Sequence, residues 1–177
     1  IKSYQGESFF SGFDFHTGPD KNSWDVNYMA NRPEMAFVDP GTKVTHLKIG
    51  NLVNNRIEAV KLQSKDSFGP GLFIFDVLKI PTGGGTWPAI WLNGVGRWPD
   101  AGEIDIIEGV NDATRNSFVI HTGRVNKCTA LDIDTMKSKQ TGDLPQTKDC
   151  TEQPGCAVKA KTENSYGKPF NNNNGGV

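Results

Sequence analysis

The sequence lacks most of what would take a protein into a membrane, onto a polyanion or around a metal. Over 177 residues no apolar run approaches the roughly 20 residues of a spanning helix, so no membrane partner is expected. The start has neither an initiator Met nor a charged-then-apolar leader and reads as processed or trimmed. Excess charge of one sign is missing as well: 19 Lys and Arg stand against 20 Asp and Glu, for a formal net charge of −1. With the basic residues dispersed there is no footprint for nucleic acid, and a neutral partner is expected. Histidine is scarce, and His16, His46 and His121 lack ligand spacing, so no metal is expected. Gly83-Gly84-Gly85 is not followed by the Lys of a phosphate loop and no Ser elbow occurs, which leaves no cofactor implied.

Cysteine is nearly absent too. Cys128, Cys150 and Cys156 all fall in one polar stretch, where a secreted protein would staple a long loop. Three cysteines allow three different single disulfides and leave one thiol over. The chain also stops on a turn-like run, residues 170–177, of a kind that normally leads into another strand. Together these point to a chain that is C-terminally incomplete.

What is present suits a small β protein. With 36% hydrophobic and 22% charged residues the chain can bury one core, so a single domain over residues 1–177 and a monomer are expected. The 20 Gly and 10 Pro, with repeated aromatics, indicate many short strands joined by tight turns. Strands are expected around Phe9, Phe13 and Phe15 and over residues 24–29. Residues 44–49 and 59–64 alternate apolar with polar about an Asn-rich turn and predict a hairpin. Residues 71–80, apolar on both faces, predict an interior strand. In residues 86–92, Trp87, Ala89 and Trp91 share a face by the two-residue period, and Pro88 argues for an edge or irregular strand. Residues 126–174 read as long loops.

The chemistry concentrates in Glu103-Ile104-Asp105-Ile106-Ile107-Glu108, three carboxylates among β-branched residues. In a regular strand Glu103 and Asp105 share a face and Glu108 points away. One inserted residue, a bulge at the Ile106-Ile107 step, returns Glu108 to that face. The two glutamate Cα atoms then lie about 13 Å apart at about 3.3 Å per residue. Side chains reaching toward each other leave about 5 Å between carboxyl groups, the separation of retaining glycosidases. Glu103 would attack the anomeric carbon, and Glu108 would protonate the leaving oxygen and then deprotonate water. Asp105, one methylene shorter, would orient Glu103 and help keep Glu108 protonated by like charge. The alternative is a solvated acidic face, but three acids on one face repel one another, a cost that usually has a functional reason.

Sugar rings stack their C–H faces on indole, which makes Trp91 and Trp98 candidate substrate platforms. Trp98, among Arg97, Pro99 and Asp100, suits an exposed cleft; Trp87 reads as core packing. His121, in Val-Ile-His-Thr-Gly, would lie on a neighbouring strand near the carboxylates, where a structural role is the alternative.

The segments G-T-W-P-A-I-W-L, R-W-P-D-A-G-E-I-D-I-I-E-G-V-N and I-H-T-G resemble glycoside hydrolase family 16, in its laminarinase-like, bulged-strand branch. The likeness covers nearly the whole chain: F-F-S-G-F-D-F and W-D-V-N-Y-M resemble that family's first strands and L-F-I-F-D-V its central one. It implies an all-β, concanavalin A-like jelly-roll sandwich of two antiparallel sheets whose concave face binds β-glucan. Glu103 then matches the nucleophile, Asp105 its assistant and Glu108 the acid/base, while Trp91, Trp98 and His121 match cleft residues. Where the family often has Arg, Lys61 offers a single ammonium. Members of the branch run about half as long again, so the resemblance also predicts unpaired strand edges and exposed apolar core. A secreted, cofactor-free enzyme hydrolysing β-1,3 or mixed β-1,3/1,4-glucan is expected. The rivals are a transglycosylase with the same residues and a non-catalytic glucan-binding lectin.

Overall fold

Short runs of alternating residues broken by Gly, Pro and Asn give short strands, and the observed elements follow that rule. The computed structural model describes residues 1–21, 25–125, 127–130, 141–143, 148–151 and 153–176. Trp24 and much of the 126–147 stretch lie outside the described residues. The chain falls into two compact units, Ile1–Phe73 and Ile74–Val177.

In the first unit a 3₁₀ helix, Gly6–Gly12, precedes β1 (Phe13–Phe15), β2 (Gly18–Pro19), β3 (Val26–Tyr28), β4 (Ala36–Val38), β5 (Thr45–Leu47), β6 (Leu52–Val53), β7 (Arg56–Ala59) and β8 (Leu62–Ser64). Phe9 therefore belongs to a helical turn rather than a strand, and its ring stacks on Phe13 at 4.9 Å. The hairpin expected between residues 44–49 and 59–64 does not form. Its Asn-rich turn instead joins β6 to β7, with Asn54 and Asn55 both at positive φ (51° and 59°). Two consecutive left-handed residues make the tight turn whose twist matches a hairpin, so the turn captures its immediate flanks. The flanking runs pair elsewhere, β5 with β4 and β8 with β1. One pairing here, β3 with β7, is parallel. Glu58 on β7 is buried and is satisfied by the Arg32 guanidinium at 2.9 Å, as a buried charge requires. Lys61 lies over the Tyr28 ring, 5.4 Å from its centroid.

The second unit holds β9 (Ala89–Asn93), β10 (Glu103–Glu108), β11 (Ser117–His121) and β12 (Cys156–Lys159), in the antiparallel order β12-β11-β10-β9. Strand β9 begins directly after Pro88 and lies at the sheet edge, where a missing N–H is tolerated. A short helix, α1 (Gly167–Asn172), follows. Thus β12 and α1 stand in a region read from sequence as loop.

Residues 71–80 do not form the expected interior strand. Leu72 is 87% and Ile74 69% exposed, and only Val77 makes a bridge, to Gly176. A strand apolar on both faces needs neighbours on both edges, and among the described residues none flanks 71–76. Farther on, Ile80 is captured. The Asn171 side chain accepts from its N–H and donates to its carbonyl, both at 2.8 Å, as a neighbouring strand would.

Ile80 packs with Tyr166 and Phe170 in a buried cluster flanked by Val77, Ile107 and Ala113. Tyr166, fully buried, is its centre. Its hydroxyl shares one proton between the carbonyls of Pro88 (2.9 Å) and Gly109 (3.0 Å). A side chain on Gly109 would place its Cβ 2.6 Å from the Tyr166 ring, so glycine is required for that approach. On the opposite side of the sheet from Glu103 and Asp105, Ile104, Phe118 and Ile120 are exposed. Cys150 and Cys156 form a disulfide and Cys128 is a free, exposed thiol.

Tyr166→Phe keeps the ring and removes the hydroxyl that ties the segments preceding β9 and following β10. We expect a loss of about 1–3 kcal/mol, read as a lower urea midpoint at unchanged slope.

Candidate active site

Strand β10 carries all three carboxylates, and its register decides which way they face. Against β9, Glu103 pairs with Asn93, Ile104 with Leu92 and Asp105 with Trp91. The register then shifts, so that Ile107 pairs with Ile90 and Glu108 with Ala89. Ile106 is the extra residue of a bulge. Ala89 and Trp91 are two apart on one face of β9, so their partners Glu108 and Asp105 share a face as well. Glu103 and His121 are paired across β10 and β11 and join the same side.

A bulge leaves backbone polar groups without ladder partners, and pairing with β11 ends at Asp105. The buried Asn116 side chain replaces the ladder. Its Nδ2 donates to the Ile106 carbonyl at 2.8 Å and its Oδ1 accepts from the Glu108 N–H at 2.9 Å. Its own backbone is satisfied by the Ser165 hydroxyl and the Ala160 N–H. Every polar group of this 4% exposed residue is therefore bonded, and its geometry fixes the direction in which Glu108 leaves the strand.

Each acid has its own donor. Trp98 Nε1 donates to Glu103 Oε2. Asp105, 5% exposed, lies 3.4 Å from His121 Nε2, so its hydrogen bond runs across the ladder rather than along the strand to Glu103. Trp87 Nε1 donates to Glu108 Oε1 at 2.8 Å. Trp98 comes over Glu103 because the β9–β10 connection folds back, with Gly94 N–H donating to Gly102 O and Ala101 N–H to Arg97 O. The rings of Trp98 and His121 lie 5.8 Å apart. Gly155 approaches His121 so closely that a Cβ would stand 2.7 Å from Nδ1.

The electrostatics separate the groups. Glu108 is held above the usual carboxylate range chiefly by burial, with smaller contributions from Asp105 and Glu103, against the opposing Trp87 hydrogen bond and the His121 charge. Burial thus outweighs the like-charge effect on which the sequence argument leaned. His121 is raised, first by its hydrogen bond to Asp105 and against the cost of burial. That pair contributes stability fully below the unfolded histidine pKa of about 6.5, and loses it as pH rises through the higher folded value.

All six residues singled out from sequence lie in this unit, with Trp91, Glu103, Asp105, Glu108 and His121 on one face and Trp98 reaching Glu103. Trp87 corrects the sequence reading: it is 63% exposed and bonded to Glu108, not packed in the core. Its place one step ahead of Ala89 and Trp91 in the two-residue period puts it on the acidic face, and Ala89 stands opposite Glu108. Asn116 and Tyr166 were missed.

A family model described as an XgeA-like, catalytic GH16 domain matches residues 13–177. The chain belongs to the XgeA-like branch of glycoside hydrolase family 16. Relatives of this family-16 chain include a probable glycosidase of Schizosaccharomyces pombe, 35% identical over 186 residues, covering 100% of this chain and 43% of that protein. The endo-1,3(4)-beta-glucanase of Emericella nidulans is 34% identical over 188 residues, covering 99% of this chain and 29% of that protein. Among solved structures, an elongating family 16 beta-1,3-glucosyltransferase superposes with a TM-score of 0.83 at 31% identity, over 97% of this chain and 59% of that one. Laminarinase 16A from Phanerochaete chrysosporium gives 0.81 at 30% identity, over 98% and 59%. The family-16 chain thus spans less than half the length of these two sequence relatives and about three fifths of the solved chains. Its fold class is the all-β jelly roll of these neighbours.

Asp105→Asn removes the charge beside His121. The His121 pKa, followed through its ring proton resonances, is expected to fall toward the ordinary histidine range, and the high-pH loss of stability should begin at lower pH.

Proposed function

We propose that this chain carries the catalytic machinery for retaining endo-hydrolysis of β-1,3 or mixed β-1,3/1,4-glucan. The observation that supports this most is the bulge at Ile106, which gathers Glu103, Asp105 and Glu108 on one face, where burial raises the Glu108 carboxyl above the usual range. A carboxyl that holds its proton more tightly than usual, on the same face as a second, suits the division of labour that glycosidic double displacement needs.

In the first step Glu103 attacks the anomeric carbon as Glu108 delivers its proton to the departing glycosidic oxygen. The attack forms a glycosyl ester and releases the acceptor half of the glucan. In the second step Glu108, now ionised, takes a proton from water, and the resulting hydroxide displaces Glu103 from the sugar. Two inversions leave the product with the substrate's β configuration. Trp98 restrains Glu103 through its indole N–H, and Asp105 acts at one remove by fixing His121. Trp91 and Trp98 offer indole faces for the sugar rings.

A transferase reading has its own support in the likeness to an elongating beta-1,3-glucosyltransferase, in which a sugar hydroxyl replaces water in the second step. The lectin reading is disfavoured, because a binder has no use for a desolvated carboxyl beside two more acids. The Cys150–Cys156 disulfide supports an oxidising, extracellular setting, and we propose that the enzyme is secreted.

Laminarin and mixed-linkage glucan, each incubated with the parent and with Glu103→Ser, test this reading through reducing ends and product anomers. The β-anomer should appear first from the parent, and Glu103→Ser should lose at least about a thousandfold in rate. Longer oligosaccharides would favour the transferase. Initial α-anomer, or binding without new reducing ends, would overturn the assignment.

A further inference from the structure

Trp87 is exposed, yet it is anchored from both sides. The residue before it, Thr86, accepts from the Asn111 N–H at 2.8 Å, and the residue after it, Pro88, accepts from the Tyr166 hydroxyl at 2.9 Å. Both anchors lead to the turn that follows Glu108. Asn111 lies in that turn at φ 57° and also accepts from Gly85 N–H through its side chain, while the Tyr166 hydroxyl also bonds Gly109, the next residue after Glu108. The donor indole and the acceptor carboxyl are thus fastened to a common backbone frame. The 2.8 Å bond between Trp87 Nε1 and Glu108 Oε1 spans it.

An indole nitrogen can only donate. An oxygen that accepts from it cannot present a proton along the same line, whereas the second carboxyl oxygen can. We propose that Trp87 is a positioning residue that assigns the two oxygens of Glu108: the one facing the indole stays unprotonated throughout, and the other carries the proton transferred to and from the glycosidic oxygen and water. This rests on the acid/base reading of Glu108 and extends it from a residue to an atom. In the first step the proton leaves that outer oxygen and the electron pair stays on the carboxylate. In the second the same oxygen receives the proton from water, with Trp87 bonded to its partner before and after.

Two consequences distinguish this role from packing. The bond to the ionised form opposes the rise that burial imposes, so Trp87→Phe, which keeps the aromatic face and loses the N–H, should shift the basic limb of kcat/KM to higher pH. Without a fixed proton-bearing oxygen, kcat on laminarin should also fall, by about tenfold or more, with KM little changed.

The test joins these kinetics to a measurement that needs no turnover. In protein labelled with nitrogen-15 at tryptophan indoles, the Trp87 resonance should titrate with a midpoint above the usual carboxylate range, and Glu108→Gln should abolish that titration. If the parent fails to cleave glucan but the Trp87 resonance still follows Glu108, the proposed function falls while the coupling stands. If the parent cleaves glucan and either the resonance ignores Glu108 or Trp87→Phe retains the parental pH profile, the positioning role is overturned.

Discussion

A strand presents alternate residues to opposite faces, and the five-residue step from Glu103 to Glu108 would therefore send one acid to each side of the sheet. The single extra residue at Ile106 removes that obstacle, and the site depends on it. A bulge is held only if the polar groups it frees find partners. Here Asn116 replaces the broken ladder by bonding Ile106 and Glu108 at once. Behind it Tyr166, filling the space that Gly109 leaves, binds the end of β10 to the start of β9. One amide and one phenol thus hold the backbone in the irregular form that the site requires.

Gathering three acids on one face raises a second problem, their mutual repulsion, and the structure answers it by giving each a different donor. Asp105 has the titratable His121, Glu103 the Trp98 indole and Glu108 the Trp87 indole. At Glu108 the Trp87 N–H and, to a smaller extent, His121 favour the ionised form, but burial remains the largest influence. The differing surroundings of the acids, rather than their common proximity, allow them separate roles.

The carboxylate strand and the need for a bulge were legible because β periodicity is strict: a six-residue span with acids at both ends admits few other arrangements. The sheet order followed less readily. The Asn54-Asn55 turn was visible, but the strands it joins were not, since a tight turn claims its nearest neighbours whatever the longer alternation suggests. Residues 71–80 misled because an apolar run records what a segment would bury, not whether neighbours exist to bury it against. Trp87 was misassigned although the register argument that placed Trp91 applied to it equally. Asn116 could not have been picked out by type, since a polar residue before a strand usually caps a turn; its role exists only once the bulge does.

The central claim is that the bulged face delivers Glu103 as a nucleophile with Glu108 beside it as the proton carrier. The most direct test is to incubate the protein with a fluorinated laminarioligosaccharide fluoride, whose glycosyl-enzyme forms readily and hydrolyses slowly, and to map the adduct by peptide mass spectrometry. The expected result is one glycosyl group per chain, attached to Glu103. A label on Asp105 or Glu108, or release of fluoride with no covalent adduct at any time, would contradict it.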